Sequence, residues 1–496
     1  MKPANTCRCL KVFCLLESRP HKIWLSSVVA GWRSSSVSRC LSNSASLLLI
    51  VLAGNVAAAT PLPIHTYDQR LYLTAGESPD YLKPYTDDQT ELNGLLRYEP
   101  RYYWRSGDSE WHRWDAQLRA KLLVATGRPS SLQADETDSI REDEHYAELR
   151  DAWVRRRMLF GSPSLSLALG RQSYKDEEGV IWDLPMESLN LDYRSTLWRA
   201  NLAVGQQLTT WRSDGSDLDP RDDGIVRMLA GVGHQWRPGH WWDLQLHYQD
   251  DTSGDPEDRL EGLMDARDFT GYWGGVRLHG EGGEATAVGY TVNALFQQGD
   301  LKSYAIDGDG NRVDRENRLL GYLVQGELYS RIDSLDWRPV LGVRAATTDE
   351  PSLSVNDGYF QSRVQSNRRS GVAELSTGVL GDLLDYEMNN LAYAAAWYRQ
   401  QLWPRAEMEV LTGTVRRLNN SVTVNSPINN PLVDGEDRLG NVVNVALGWQ
   451  SFPLALSERR QMQVSARLSY SVFYMGEAYQ RPDKNHQLLF VVAGRW

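Results

Sequence analysis

The 496-residue sequence lacks long apolar runs and has almost no cysteine, and each shortage excludes a class of protein. Mean hydropathy is −0.48. Apart from one short run near the start, no stretch approaches the about 20 apolar residues that a transmembrane helix needs. All four cysteines (Cys7, Cys9, Cys14 and Cys40) lie near the start, so the rest of the chain can form neither disulfides nor thiolate metal sites. The sequence therefore excludes a helical membrane protein and a disulfide-stapled domain, and it indicates no cofactor.

The one short apolar run, residues 46–59, has the features of an export signal. It ends in three alanines, the small-residue pattern of a signal-peptidase site, and it is too short to span a bilayer as a helix. We expect cleavage after Ala59, so that residues 1–59 are a signal region and residues 60–496 form a single domain. Because a secretory signal usually has about 15–30 residues, we also expect translation to start nearer Val37.

Polar and apolar residues alternate with a period of two in many segments of the remaining chain. In residues 461–472 six polar residues alternate with six apolar ones, and residues 113–122 and 242–249 repeat the pattern. Such segments are strands with one apolar and one polar face. In a soluble sandwich the apolar face would pack on a second sheet, whereas in an outer-membrane barrel it faces lipid and the polar face lines a lumen.

The lengths of the connections favour the barrel. The pattern predicts strands near 66–74, 91–104, 110–126, 146–160, 163–174, 186–198, 199–211, 224–237, 240–250, 268–279, 284–297, 316–332, 335–347, 388–399, 402–416, 438–452, 460–474 and 484–496. Connections between them alternate short and long, and 348–387 is the longest. Short periplasmic turns and long external loops give this alternation. The sequence therefore predicts an all-β fold, a transmembrane antiparallel β-barrel of about 18 strands of the outer-membrane type.

Aromatic residues agree with this interpretation. The chain has 18 Trp and 23 Tyr but only eight Phe, a bias towards the amphipathic rings of membrane-interface girdles. Residues 486–496 place Leu488, Phe490, Val492 and Trp496 on one face. A terminal strand ending on an aromatic residue is typical of bacterial outer-membrane barrels. We therefore expect outer-membrane lipid to surround the protein and the barrel assembly machinery to recognise this strand.

The polar face carries more basic than acidic residues. The basic ones with lumen parity are Arg113, Arg119, Lys121, Arg194, Arg227, Arg277, Arg331, Arg338, Arg344 and Arg467; the acidic ones are Asp115, Asp192, Asp243, Glu327, Glu407 and Glu409. Arginines in a narrow tube focus a positive potential, and each planar guanidinium group can bind a carboxylate through two parallel hydrogen bonds. This favours an anion path. The alternative is that the arginines only brace the wall by pairing with acids, as Arg113 with Asp115 or Arg194 with Asp192.

Several motifs, in this order, resemble the alginate-export porins of pseudomonads and their relatives. They are Gly170-Arg171-Gln172 with Trp182-Asp183, residues 204–207 (VGQQ), 233–240 (GHQWRPGH), 247–254 (HYQDDTSG), 365–370 (QSNRRS) and 476–479 (GEAY). The resemblance covers roughly residues 150–496. It implies an 18-stranded barrel with an arginine-rich constriction that passes an anionic polyuronate outward. It also implies roles there for Arg150, Arg171, Arg368 and Arg467. Residues 451–459 depart from the family, in which a longer periplasmic loop can cover the pore.

Three functions remain to be compared. The first is export of an anionic polysaccharide, most simply alginate, with periplasmic export proteins as further partners and no nucleic acid. The second is an uptake porin for anions or sugar acids, which would have a narrower lumen and loops folded into it. The third, a barrel enzyme, needs a Ser–His pair, and no serine motif accompanies a histidine, so we expect no enzyme. The segment that contains Asp307, Asp309, Asn311 and Asp314 lacks the Gly and Glu that an EF-hand loop requires. We interpret it as a polar loop.

Overall fold

The computed structural model describes most of the chain after the signal region. The described residues are 64–79, 90–106, 113–126, 144–176, 179–215, 218, 222–253, 267–282, 288–306, 312–335, 337–352, 358–361, 365–384, 386–424, 428, 430–457 and 460–496. The predicted signal region with its cleavage site after Ala59 lies outside these residues. So do Asp307, Asp309 and Asn311 of the segment compared above with an EF-hand loop.

The described residues form strands and two short 3-10 turns, Leu159–Gly161 and Val372–Glu374. The strands are β1 (Ile64–Pro79), β2 (Thr90–Arg105), β3 (Trp114–Ala125), β4 (His145–Arg157), β5 (Leu165–Lys175), β6 (Asp183–Arg194), β7 (Trp198–Gln206), β8 (Ile225–Arg237), β9 (His240–Asp251), β10 (Arg267–Gly280), β11 (Val288–Ile306), β12 (Arg312–Arg331), β13 (Val340–Thr348), β14 (Arg368–Ser370), β15 (Ser376–Gly378), β16 (Leu391–Trp403), β17 (Ala406–Arg417), β18 (Arg438–Gln450), β19 (Leu454–Ser457), β20 (Arg460–Met475) and β21 (Lys484–Arg495).

Among the described strands, all except β14, β15 and β19 form one closed antiparallel barrel. Each of these 18 strands pairs with its neighbours in chain order, and β1 pairs with β21 to close the sheet. Closure satisfies the backbone donors and acceptors of every wall strand without leaving an edge. The predicted fold class and strand number are confirmed. No helix within the described part of the chain is long and apolar enough to cross a membrane.

The alternating pattern determines which side chains face outward. Leu468, in the middle of β20, is 43% exposed and lies in register between outward Leu447 and Phe490, whereas its neighbour Ser469 is 1% exposed and faces inward. The apolar residues thus form the outer belt and the polar ones line the interior, as the sequence predicts.

Most connections have the predicted lengths, with three differences. β3 begins at Trp114 and β13 at Val340, later than predicted, so Arg113 and Arg338 lie in turns and not in the wall. The predicted loop 299–315 is mostly strand, because β11 continues to Ile306 and β12 begins at Arg312. Pairing of these long strands stays in register from Val288 opposite Ser330 to the end of β11, which explains their length.

The third difference concerns the connection between β13 and β16, whose described residues, 349–352, 358–361, 365–384 and 386–390, are called the inner loop below. The sequence predicts the longest external loop here, and this expectation is wrong. Tyr359, Leu380, Leu383 and Leu384 of the inner loop are at most 3% exposed and pack against inward residues of the wall. The loop folds into the barrel because these apolar side chains find cover there that an external loop would lack.

Candidate functional site

The clearest charged surface inside the barrel lies on β2, β3 and β4. Its inward basic side chains, called the basic wall below, are Arg97, Arg101, Arg105, Arg119, Lys121, Arg150, Arg155 and Arg157. Cross-strand register brings Arg101 opposite Arg119, and Arg105 and Arg155 opposite the same carboxylate, Asp115. A bulge of β4 opposite Arg119 and Ala120 adds Arg150 to the same face. Basic side chains that alternate with outward residues along three neighbouring strands thus form one continuous surface.

Acidic residues are fewer on this surface, and two of them, Asp115 and Glu148, serve more than one cation. Asp115 is fully buried and accepts hydrogen bonds from Arg155 (2.8 Å) and Arg157, with Arg105 3.6 Å away. Asp151 pairs with Arg119 at 2.9 Å.

The two remaining acids are Glu148 and Glu99. Glu148 lies 3.2 Å from Arg150 and 3.9 Å from Lys121, and Glu99 pairs with Arg97 at 3.2 Å. A fifth carboxylate, Asp68 of the neighbouring strand β1, accepts a hydrogen bond from Arg101. The eight basic side chains therefore face five carboxylates, and the wall keeps an excess of positive charge.

Part of the basic wall remains accessible from the lumen. The side chains of Arg101, Arg105, Arg155 and Arg157 are 29%, 32%, 27% and 38% exposed. Guanidinium groups stay charged at any relevant pH, and each has five donors, so one that contacts an acid can still donate to a second anion. Enclosure by the barrel strengthens the field that these charges produce.

Two inward arginines outside the basic wall hold the inner loop. Arg467 of β20 donates to the carboxylate of Asp382 (2.9 Å) and to the carbonyl of Ser376 (2.8 Å), and Ser469 donates to the same carboxylate at 2.6 Å. Arg344 of β13 donates to the carbonyl of Val379 at 2.8 Å.

A carboxylate of β12 links the wall and the inner loop in the same way. Glu327 accepts from Arg344 of β13 at 3.3 Å and from Arg369 of the loop at 3.0 Å. Arg368 is buried within the loop, where its Nε donates to the hydroxyl of Ser376 at 3.3 Å. The inner loop is therefore held by Arg344, Arg368 and Arg467, and these three arginines do not line the open lumen.

The inner loop also reaches the far side of the lumen. Its Ser366 and Asn367 amides donate to the carbonyl of Gly179, at 2.9 and 3.3 Å, and the Ser366 hydroxyl donates to Asp183 at 2.7 Å. Gly179 belongs to the β5–β6 connection, which Asp176 shapes by accepting the amides of residues 180–182. Burial raises the pKa of Asp176 above its ordinary value, against the effect of these donors. The loop thus crosses the interior and narrows it.

The remaining predicted lumen residues are dispersed. Arg227 and Arg277 face inward but are buried, at 2% and 7% exposure. Arg194, whose side chain is 77% exposed, pairs with Asp192 at the short-turn end of β6. Arg113 and Arg338 are exposed in turns. Of the twelve predicted residues, only Arg119, Lys121 and Arg150 belong to the basic wall, and the others are not in one constriction.

Arg171 is another correction. Its partner Glu187 has the parity of outward-facing Leu189, and Arg171 itself has the parity of outward-facing Leu169. The guanidinium lies in the seam between β4 and β5, where it donates to the carbonyl of Leu149 (2.8 Å) and to Glu187 (2.9 Å). The expected lumen role does not fit this position.

Sequence reasoning missed five members of the basic wall: Arg97, Arg101, Arg105, Arg155 and Arg157. The signal in β2 was a period of two, because Arg97, Arg101 and Arg105 share one parity. The outward residues between them are Tyr98, Pro100, Tyr102 and Trp104, and the three aromatic ones are amphipathic, which hid the alternation. In β4 the run Arg155–Arg157 hid it differently, since the middle residue, Arg156, faces outward and stacks over Trp114 at 5.0 Å.

Known proteins resemble this chain over most of its length. A family model described as alginate export matches residues 88–490. The alginate production protein AlgE of Pseudomonas syringae pv. tomato is 24% identical over 452 residues, which cover 82% of this chain and 88% of that protein. AlgE of Pseudomonas aeruginosa is 23% identical over 363 residues, which cover 68% of this chain and 72% of that protein. Of the solved structures, Acinetobacter baumannii OccAB2 has a TM-score of 0.52 at 10% identity, with 87% of this chain and 98% of that chain covered, which shows a shared fold alone.

Proposed function

Because the chain belongs to the alginate-export family, we propose that it is a passive outer-membrane channel through which alginate, an anionic polyuronate, leaves the cell. The observation that supports this best is the basic wall. A polymer with a carboxylate on each sugar unit matches a surface with regularly spaced, partly exposed guanidinium groups.

The acids beside the basic wall explain how an anionic chain could pass without being held. Each accessible arginine already has a carboxylate partner, Asp68 of β1 for Arg101 and Asp115 for the other three, so a uronate competes with that partner and does not meet a free charge. Conduction needs sites that are favourable enough to enter and weak enough to leave. Arg155 and Arg157, which share Asp115, would provide two such weak sites.

The alternative, an uptake porin for small anions or sugar acids, predicted loops folded into the lumen, and the inner loop has this feature. Family membership nevertheless favours export, and the inner loop then serves as the narrowing of an export channel. We propose no catalytic activity, since the proteins that resemble the chain are export proteins and porins.

We further propose that the terminal strand β21 is the segment that the barrel assembly machinery recognises. Trp496 exchanges two backbone hydrogen bonds with Gln69, at 2.9 and 3.1 Å, at the seam where β1 and β21 close the barrel. The last residues of the chain therefore complete the barrel. Periplasmic proteins that deliver the polymer would meet the short-turn end.

The test is channel recording in planar bilayers with alginate oligomers as blockers. Wild type should prefer anions and be blocked by alginate hexasaccharide but not by neutral cellohexaose. The variant R101Q/R119Q/R155Q should lose most of the anion preference and of the block. Raised salt should weaken both effects, because exposed charges are screened beyond about 8 Å at physiological ionic strength.

The matched control removes two arginines outside the basic wall. Arg331 is the exposed last residue of β12, and Arg338 is exposed in the connection to β13. The variant R331Q/R338Q should therefore behave like wild type. A wild-type channel that prefers cations, or that is blocked equally by cellohexaose, would contradict the proposal.

A further inference from the structure

A row of inward residues on β9–β12 lies outside the basic wall. Register places His247, Trp273, Gln297 and Gly321 side by side on four successive strands. The imidazole of His247 stacks on the indole of Trp273, with centroids 4.7 Å apart and planes at 17°. Gln249 lies two residues beyond His247 on the same face. These five residues are called the aromatic–amide row.

The polar atoms of the row are buried but incompletely hydrogen-bonded. His247 and Gln297 are fully buried and Gln249 is 3% exposed. Among the described residues, neither ring nitrogen of His247, nor Nε2 of Gln297, nor Oε1 of Gln249 has a hydrogen-bond partner. Each buried polar atom without a partner costs about 1–3 kcal/mol, so a native structure keeps such a group for a reason.

The tip of the inner loop, residues 358–361, covers this row. The Phe360 amide donates to Oε1 of Gln297 at 2.9 Å, and the Trp273 indole donates to the Phe360 carbonyl at 3.3 Å. Gly321 permits the approach, because a Cβ there would lie 2.3 Å from the Tyr359 amide nitrogen. The Phe360 backbone thus bonds to Gln297 and Trp273, and the polar atoms of the row named above stay without a partner.

The composition of the row fits one class of ligand. The row offers an indole, an imidazole and two amide side chains, which supply donors, acceptors and aromatic surface. One amide group, Nε2 of Gln249, already donates to Asp251 at 3.2 Å. A sugar ring has hydroxyl groups that donate and accept and a face of C–H groups that packs on an aromatic ring. Sites for such ligands combine aromatic surface with a few placed polar groups. Within the described residues, no group of His, Cys, Asp and Glu is arranged to hold a metal.

We propose that the aromatic–amide row is a saccharide-binding subsite covered by the inner-loop tip, and that a sugar unit of the exported polymer replaces the Phe360 peptide groups when the tip moves. The sugar would then satisfy the nitrogens and oxygen that the tip leaves unpaired. This inference rests on the proposed function for the identity of the polymer. It adds a second contact surface, which recognises hydroxyls, to the basic wall, which recognises carboxylates.

The test loosens the cover and then removes the subsite, because Y359G/F360G deletes the side chains that hold the tip in place although its backbone groups remain. In bilayer recordings, Y359G/F360G should be blocked by alginate hexasaccharide at about tenfold lower concentration than wild type, the size expected from one or two gained hydrogen bonds. It should also become sensitive to cellohexaose, because recognition by the row needs no charge. Adding W273L and Q297L to this variant should abolish both gains. If Y359G/F360G assembles poorly, F360A is a milder substitution that also loosens the cover.

Two results would overturn the proposal. One is a more conductive Y359G/F360G channel whose sensitivity to both sugars is unchanged. The other is a gain that persists after W273L and Q297L. The cellohexaose arm separates this inference from the proposed function: combining Y359G/F360G with R101Q/R119Q/R155Q should leave the gained cellohexaose block intact, whereas a wild-type channel without anion preference contradicts only the proposed function.

Discussion

At the scale of single residues, the basic wall depends on one carboxylate. Asp115 is fully buried between arginines from two neighbouring strands, Arg105 of β2 and Arg155 and Arg157 of β4. Three cations around one acid leave a net positive cluster whose outer edges face the lumen. The identity of this acid therefore controls how much positive charge the lumen presents.

Asp115→Asn should raise the anion preference of the channel. The substitution keeps the shape of the side chain but removes one negative charge, so the arginines lose their shared partner and attract mobile anions more strongly. The measurement is the reversal potential in a salt gradient, together with the concentration of alginate hexasaccharide that gives half block, which should fall.

The matched control is Asp333→Asn, which removes the partner of Arg331 in an exposed turn and should change neither quantity. Unchanged selectivity in Asp115→Asn, with normal assembly, would mean that the cluster does not face the conducting path.

The sequence predicted the parity of Asp115 but not its partners. It suggested Arg113, two residues away, whereas the structure pairs Asp115 with Arg155, 40 residues away. Parity follows from the period-two pattern alone. Partners depend on cross-strand register, which in this region includes a bulge opposite Arg119 that no local pattern revealed.

At the scale of elements, the inner loop is the largest departure from the sequence prediction. Length and position between predicted strands indicated an external loop, because long connections of outer-membrane barrels usually lie outside. The contrary signal was the apolar content of residues 379–386, VLGDLLDY, which is unusual for a solvated loop. Burial of Leu380, Leu383 and Leu384 shows that this content decides the position of the element.

Asp382→Ala should loosen the inner loop and increase conductance. Asp382 and Arg467 are 3% and 2% exposed, and breaking a buried pair by removing one partner costs about 3–5 kcal/mol. Ser469 loses its acceptor in the same variant. Single-channel recording should show a larger mean current with more frequent fluctuations. The anion preference should not fall, because the basic wall is unchanged and Arg467 loses its carboxylate partner.

Asp437→Ala serves as the control, since its pair with Arg416 is 3.7 Å long and more than half exposed on both sides. It should match wild type, as exposed pairs contribute little. An Asp382→Ala channel with wild-type conductance would show that the inner loop is held by its apolar contacts alone.

At the scale of the whole molecule, the chain separates its charges. The formal net charge is −11, yet the basic wall keeps more cations than anions. A single alternation assigns residues to lipid or lumen, and this is why the sequence sufficed for the barrel and its strand number. It did not suffice for the constriction, because two contributions, the inner loop and the bulged β4, depend on long-range packing.

The orientation and the position of the inner loop can be tested together by labelling single cysteines. The four native cysteines all precede residue 41, so Gln480→Cys, Asp333→Cys and Ser370→Cys each introduce one thiol into the barrel domain. Gln480 lies in the exposed β20–β21 connection, Asp333 in the exposed β12–β13 turn, and Ser370 in the inner loop with exposure to the lumen. Intact cells are treated with a maleimide carried on a large polyethylene glycol chain, and separately with a small membrane-impermeant maleimide.

Gln480→Cys should react with both reagents, because long-loop connections face outward. Asp333→Cys should be protected from the large reagent until the outer membrane is permeabilised. Ser370→Cys should react with the small reagent but not with the large one, since only the small one enters the lumen. Reaction of Asp333→Cys with the large reagent on intact cells would reverse the orientation. Reaction of Ser370→Cys with it would mean that the loop lies outside the barrel, and the narrowing of the channel would then have to come from the wall alone.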